Sequence, residues 1–263
     1  MMVNYKREGL DVNLSFPVNF NNISATGTNN LDKTLNKITY DPRFFMRYDL
    51  TSFWKFSTFA GITNSFGSIN DLYNGFILLS AKNLSAKNTD IQQTKSNFVG
   101  SRLEYRNPLN NIFFNVSYNF NDRTSNITYL NKLNVDSQQF ILEGYNLENN
   151  SKTNSARTEL GKYFPKLKTN ASVGYNYSLS NYQQLPANST PTESSFIDVE
   201  GRNQGVSVKF NNNYFSWLSV DYNANWSFSK TQSPDDARFN NKTNSFNHAL
   251  SAYVYPFKNH TLG

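Results

Sequence analysis

His248 and His260 are the only two histidines in this 263-residue chain, and they lie 12 positions apart with no further ligand types clustered around them. A tetrahedral metal centre needs converging donors, so both are read as strand or turn residues. The acidic doublet Asp235-Asp236 offers oxygen ligands, but it lacks the glycine-turned spacing of a calcium loop and is read as solvated loop charge. Serine is plentiful, yet no Gly-x-Ser-x-Gly elbow occurs and no Ser, His and Asp set is indicated. Glycine-rich phosphate loops are missing as well. Cysteine is absent, which removes disulfides, thiolate metal sites and thiol nucleophiles. The reading is therefore not an enzyme, with no cofactor and no metal expected.

The charged residues with the most suggestive spacing are four arginines. Arg102 and Arg106 flank Glu104, while Arg43 and Arg47 fall at even spacing with Asp41 and Asp49. Even spacing puts residues on one face of an extended strand. Two roles are open to Arg43, Arg47, Arg102 and Arg106. They line a path for an anionic ligand, since a basic wall concentrates negative solutes, or they form structural ion pairs with Asp41, Asp49 and Glu104 or with a plugging domain. The formal charge is +6, but the lysines and arginines are dispersed, without the stripe that a phosphate backbone needs, so no nucleic-acid partner is expected.

Strands must position these groups. The chain holds 22 Phe and 16 Tyr while only 17% of residues are charged, which suits sheets with one greasy and one wet face. Leu10, Val12, Leu14, Phe16, Val18 and Phe20 alternate with Asp11, Asn13, Ser15, Pro17, Asn19 and Asn21, the proline alone breaking the pattern. Residues 38–50, 167–179 and 218–228 repeat the alternation, as do stretches around Trp54, Val99 and Ile112. These runs are longer than the roughly five or six residues of a soluble sandwich strand and long enough for the roughly 9–11 that cross a bilayer. Tyr48, Trp54, Tyr105, Trp226 and Phe228 sit near strand ends, as in an aromatic girdle.

The connections alternate in length, as they do in bacterial barrels. Short links are expected near Thr51-Ser52, Asn107 to Asn111, Pro165-Lys166, Asn212-Asn213 and Phe257 to Asn259. Long ones are expected over 22–36, 67–97, 121–153, 181–195 and 230–244, with 121–153 read as one excursion carrying its own hairpin or a strand extension. No apolar run approaches the roughly 20 residues of a membrane helix. Residues 1–8 lack the apolar core of a secretory signal, and His260-Thr261-Leu262-Gly263 reads as the start of another strand. The fold class expected is all-β, an antiparallel up-and-down transmembrane β-barrel. Residues 1–263 would supply about ten to eleven strands of it as one segment of a larger barrel.

Specific motifs carry a resemblance. Residues 40–50, reading Tyr-Asp-Pro-Arg-Phe-Phe-Met-Arg-Tyr-Asp-Leu, are followed by Phe53-Trp54-Lys55-Phe56. Further along come Leu72-Tyr73-Asn74-Gly75-Phe76, Leu103-Glu104-Tyr105-Arg106-Asn107-Pro108-Leu109 and Gly161-Lys162-Tyr163-Phe164. In this order they resemble the barrel of TonB-dependent receptors of the form common in Bacteroidota. The resemblance implies a bacterial outer-membrane protein with a large barrel, of about 22 strands, plugged by a separate domain. It also implies partners: outer-membrane lipid, the plug and remaining strands, the TonB complex and a small nutrient ligand. The plug, the TonB-contacting segment and the terminal strand with its final aromatic are absent from these residues. Two other functions compete: a passive porin-like barrel, which needs no plug, and a soluble or surface-anchored β-sandwich that binds or adheres through its long loops.

Overall fold

The computed structural model describes residues 1–25, 33–67, 75–86, 89–134, 138–187 and 189–255. In chain order the strands are β1 (Met2–Arg7), β2 (Leu10–Ser15), β3 (Val18–Ala25), β4 (Lys33–Tyr40), β5 (Arg43–Asp49), β6 (Trp54–Phe66), β7 (Ile77–Ser80), β8 (Asn83–Ala86) and β9 (Gln93–Asn107). They continue as β10 (Ile112–Ser125), β11 (Thr128–Asn134), β12 (Gln139–Tyr145), β13 (Asn149–Phe164), β14 (Thr169–Gln184), β15 (Ile197–Phe215), β16 (Leu218–Gln232) and β17 (Asn241–Val254). Eleven of them form one antiparallel up-and-down sheet, β1-β2-β5-β6-β9-β10-β13-β14-β15-β16-β17, with β1 and β17 at its edges. Among the described strands the sheet does not close on itself.

Residues directly opposed across an antiparallel pair lie on the same face, so the register writes each face as a set of rows. One row runs Trp54, Tyr105, Phe114, Leu160, Val173, Val208, Ala224, His248. On the other face Lys6, Asp11, Arg47, Ser57, Arg102, Ser117, Arg157, Asn176, Gly205, Ser227 and Ser245 cross all eleven strands without one apolar side chain. From Ala171 to Leu179 the apolar face of β14 measures about 26 Å along the strand, at ~3.3 Å per residue, close to the apolar band of a membrane barrel.

Among the described residues nothing covers that apolar face. A compact soluble protein of this mass exposes about 11,700 Å². This chain exposes 17331 Å². Mid-strand Leu160, Val173 and Leu250 are 55%, 52% and 67% exposed. Among the described residues the buried apolar side chains are Ile91, Ile127, Leu130, Leu185, Ile197 and Val199, all near the long-loop end of the sheet. A sandwich buries its mid-strand residues between two sheets. Here they face outward from a single layer.

Several details depart from the sequence reading. Residues 10–20 and 38–50 were each expected as one strand, but both break at a proline. Pro17 and Pro42 stand at the same level, where Asp41 N–H donates to the Pro17 carbonyl at 3.2 Å. Proline offers no N–H to the ladder, and beyond the break β3 and β4 pair only with each other. Residues 2–7, read without a strand, form β1. Glu8 and Gly9, with φ of 34° and 84°, make the two-residue turn of positive φ that joins it to β2. The turn expected at Asn212-Asn213 falls at Ser216-Trp217 instead, after a bulge. The asparagines clasp the neighbouring turn: Asn212 Nδ2 donates to Thr169 Oγ1 at 2.6 Å and Asn213 N–H to the Lys168 carbonyl at 3.0 Å. The links at 50–53, 108–111 and 165–168 are short, as read. The turn at 257–259, the strand start at His260 and the Leu72-Tyr73-Asn74 motif lie outside the described residues.

Large rings also occupy the polar face, three of them opposite a glycine. Phe59 opposes Gly100, Phe98 opposes Gly61 and Phe113 opposes Gly161. A Cβ added at Gly61 would meet the Phe98 ring at 2.7 Å, and added at Gly161 it would overlap the Phe113 ring. The ring covers the backbone that the missing side chain leaves open. Gly161→Val is expected to displace Phe113 and destabilise the sheet by ~1–3 kcal/mol. A lower midpoint of thermal unfolding in detergent checks this, and adding Phe113→Ala to the same chain should restore part of the loss.

Candidate functional site

The polar face concentrates its charge near the short turns, in two adjacent rows. Arg47, Arg102 and Arg157 occupy one; Asp49, Glu104 and Glu159 occupy the next, with Lys55 between Asp49 and Glu104. Each arginine meets the acid two residues on in its own strand: Arg47–Asp49 at 3.5 Å, Arg102–Glu104 at 2.5 Å and Arg157–Glu159 at 3.6 Å. The strands that carry these pairs, β5, β9 and β13, all run the same way in the sheet. The intervening β6, β10 and β14 contribute only Ser57, Ser117 and Asn176 to the arginine row. The Arg157–Glu159 pair was not singled out in the sequence, though its Arg-x-Glu spacing is the same as that of Arg102 and Glu104.

Three of the four candidate arginines converge. Arg47, Arg102 and Arg106, with Lys55, Glu104 and Phe113, line a cleft of about 470 Å³. Arg43 is in β5 with Arg47 but four residues nearer the long loops, roughly 13 Å away along the strand. Among the described residues Arg43 and Arg106 form no ion pair. Asp41, expected beside Arg43, leaves the strand and is nearly buried. Its Oδ2 accepts from Asn19 Nδ2 at 2.7 Å, and its Oδ1 accepts from Asn64 N–H at 3.0 Å and Asn64 Nδ2 at 2.7 Å. It therefore stitches the β3–β4 hairpin to β6 rather than balancing an arginine. His248 stands in the apolar row, its ring stacked 5.4 Å from Phe246. Asp236 pairs with Arg238 at 2.6 Å, which holds its carboxyl below the ordinary range.

At the opposite end the long connections fold on their own. Residues 121–153 contain extensions of β10 and β13 and a hairpin of β11 and β12, and β12 pairs in parallel with β8 from the 67–97 excursion. Two loops distant in sequence thus share one four-stranded sheet, β11-β12-β8-β7. Lys132 donates to Glu143 Oε2 at 2.7 Å and to the Tyr145 hydroxyl at 2.6 Å, and Tyr145 also donates to Glu143. The hydrogen bond to Glu143 raises the Lys132 ammonium above its usual value. Burial pushes the Glu143 carboxyl up, but the bonds from Lys132 and Tyr145 together outweigh it and the net shift is downward.

No protein-family model and no curated protein matches the chain. Solved structures do. The alcaligin outer-membrane receptor FauA from Bordetella pertussis is similar with a TM-score of 0.55 and 12% identity, over 96% of this chain and 37% of that one. The ferric citrate transporter FecA in its unliganded form gives a TM-score of 0.56 and 9% identity, over 97% of this chain and 38% of that one. The siderophore receptor PiuA from Acinetobacter baumannii gives 0.53 and 11%, over 97% and 45%.

The chain shares the fold of the β-barrel wall of these structures. This chain spans under half the length of each of those receptors. In such a barrel the apolar face is the outer one and the polar face lines the lumen, so the arginine–carboxylate pairs and their cleft belong to the lumen wall. The β11-β12-β8-β7 sheet stands at the long-loop end.

The sign of the Glu143 shift fixes how this small sheet responds to pH. A carboxyl depressed in the folded state stabilises above its unfolded pKa, about 4.3, and loses that contribution as pH falls through the lower folded value. The pair is partly exposed, so solvent screening keeps the effect small. Amide protection in β11 and β12, corrected for intrinsic exchange, is expected to hold level from about pH 5 to 8 and to fall below about pH 4. Exchange followed by mass spectrometry checks this. Glu143→Gln should lower protection at neutral pH and flatten its acid dependence.

Proposed function

We propose that this chain is the barrel portion of a bacterial outer-membrane TonB-dependent receptor, which takes up a scarce nutrient with energy delivered from the inner membrane. One observation carries the reading: a single-layer, unclosed up-and-down sheet with an apolar outer face, a polar inner face and alternating short and long connections. In lipid every backbone N–H and C=O in the hydrocarbon must be paired, so the edges at β1 and β17 call for further strands. Residues 1–263 act as one barrel segment; the plug and the remaining strands belong to the rest of the receptor. The short turns face the periplasm and the long-loop end faces outward.

Of the two roles open to the arginines, Arg47 and Arg102 serve as structural pairs with Asp49 and Glu104. Arg43 and Arg106 are available to a plug or to an anionic solute in transit, and the cleft beside Arg106 is the seat proposed for a plug loop. The similar receptors are named for alcaligin, ferric citrate and siderophores, so a metal chelate of small size is the proposed nutrient class. A catalytic role is not part of the reading.

Fractionation of the full-length protein tests the barrel. It is expected in the outer-membrane pool and to shift in gel mobility on heating in detergent; recovery as a detergent-free soluble protein would overturn the reading. Uptake of a radiolabelled ferric chelate should drop by roughly tenfold or more when TonB is inactivated, since the barrel supplies no energy of its own. Uptake unchanged without TonB would favour a passive pore.

A further inference from the structure

On the outer face the apolar band ends unevenly. Just above it, toward the long loops, stand Asn97 on β9, Asp122 on β10, Lys152 on β13 and Asn181 on β14, one register row of mixed character. At β15 the edge steps one row toward the short turns, and there Arg202, Lys230 and Lys242 oppose one another on three adjacent strands. At ~4.8 Å between strands, the three cations fit within about 10 Å. Arg202 bonds Glu200 at 3.1 Å. Lys230 and Lys242 are exposed and form no ion pair among the described residues.

The surroundings match one kind of molecule from tail to head. Two rows below the cations, toward the short turns, Val206, Trp226 and Phe246 form an apolar shelf, with the Trp226 and Phe246 rings 5.1 Å apart. At the cation level a cleft of about 420 Å³ is lined by Arg202, Phe228, Lys230 and Lys242. Immediately above lies a larger cleft of about 670 Å³, lined by Asn181, Gln183 and Gln232, amides suited to hydroxyl groups, together with the charged Lys152, Asp198 and Glu200. Charges on the lipid side are tolerated near the interface and disfavoured at mid-bilayer, and a cluster of them at headgroup depth attracts anionic lipid.

We propose that the outer face of β15–β17 binds a phosphorylated glycolipid of the outer leaflet. Arg202, Lys230 and Lys242 hold its phosphate, the Trp226 and Phe246 shelf takes its acyl chains, and the larger cleft takes its sugar. This rests on the outer-membrane reading. The test uses full-length receptor in detergent and native mass spectrometry with bis-phosphorylated lipid A, the same lipid dephosphorylated, and glucosamine phosphate without acyl chains. The wild type should hold the phosphorylated lipid, bind the dephosphorylated one roughly tenfold more weakly, and bind the acyl-free sugar phosphate more weakly still. R202Q/K230Q/K242Q should lose roughly tenfold or more in affinity for the phosphorylated lipid while keeping its heat-dependent gel shift. Should that chain fail to fold, K230Q and K242Q singly should each lose about threefold. Unchanged lipid binding in these variants overturns the proposal. Equal binding of the acyl-free sugar phosphate overturns it in favour of a free-phosphate site. A wild type without a heat-dependent shift sinks the barrel reading itself, a separate outcome from loss of lipid.

Discussion

Backbone hydrogen bonding is the constraint on which the rest depends. A peptide group in hydrocarbon has no water to turn to, so each strand must be paired along its whole length, and pairing fixes register. Register in turn decides which side chains share a row. Because the side-chain period is two, a slip of one residue would exchange the lipid and lumen faces of a strand. The all-polar row from Lys6 to Ser245 and the apolar row from Trp54 to His248 are the visible result of eleven registers that agree.

The long strands extend this order beyond the bilayer. β15 has 19 residues, which at ~3.3 Å each is about 63 Å. Even tilted by about 45° it rises well above a hydrocarbon core of ~30 Å. The surplus lies toward the long loops, where the small buried clusters sit. Ile91, with Ile23, Leu35 and Phe66 around it, ties the β3–β4 hairpin to the stem. The barrel stores little apolar burial in its wall, and the protein's conventional core is gathered under the loops.

Much of the wall could be read from the sequence, because alternation is a local signal. The strand faces of β5, β9, β14 and β16 follow directly from residues such as Phe44 and Arg47 or Val173 and Ser172. The breaks at Pro17 and Pro42 were visible as residues but not as consequences, since their effect depends on the two prolines meeting at one level. β1 is faint in the sequence because Val3 and Tyr5 alone carry its alternation, although Glu8-Gly9 marks its turn. What the sequence could not disclose was lateral. Arg202, Lys230 and Lys242 are 28 and 12 residues apart, and only the register of three strands makes them neighbours. The parallel contact of β8 with β12 is hidden for the same reason.

The arginine–carboxylate pairs of the lumen wall have a bearing on how such a wall is built. Arg47–Asp49, Arg102–Glu104 and Arg157–Glu159 are each contained within one strand. Each pair is therefore set within one strand's own sequence and presents a compact dipole in place of bare ions. Moving a dipole past a lipid edge costs less desolvation than moving separated charges. These arginines need no cross-strand partner to offset their charge, and the cross-strand ladder is left to specify alignment by shape and backbone bonding.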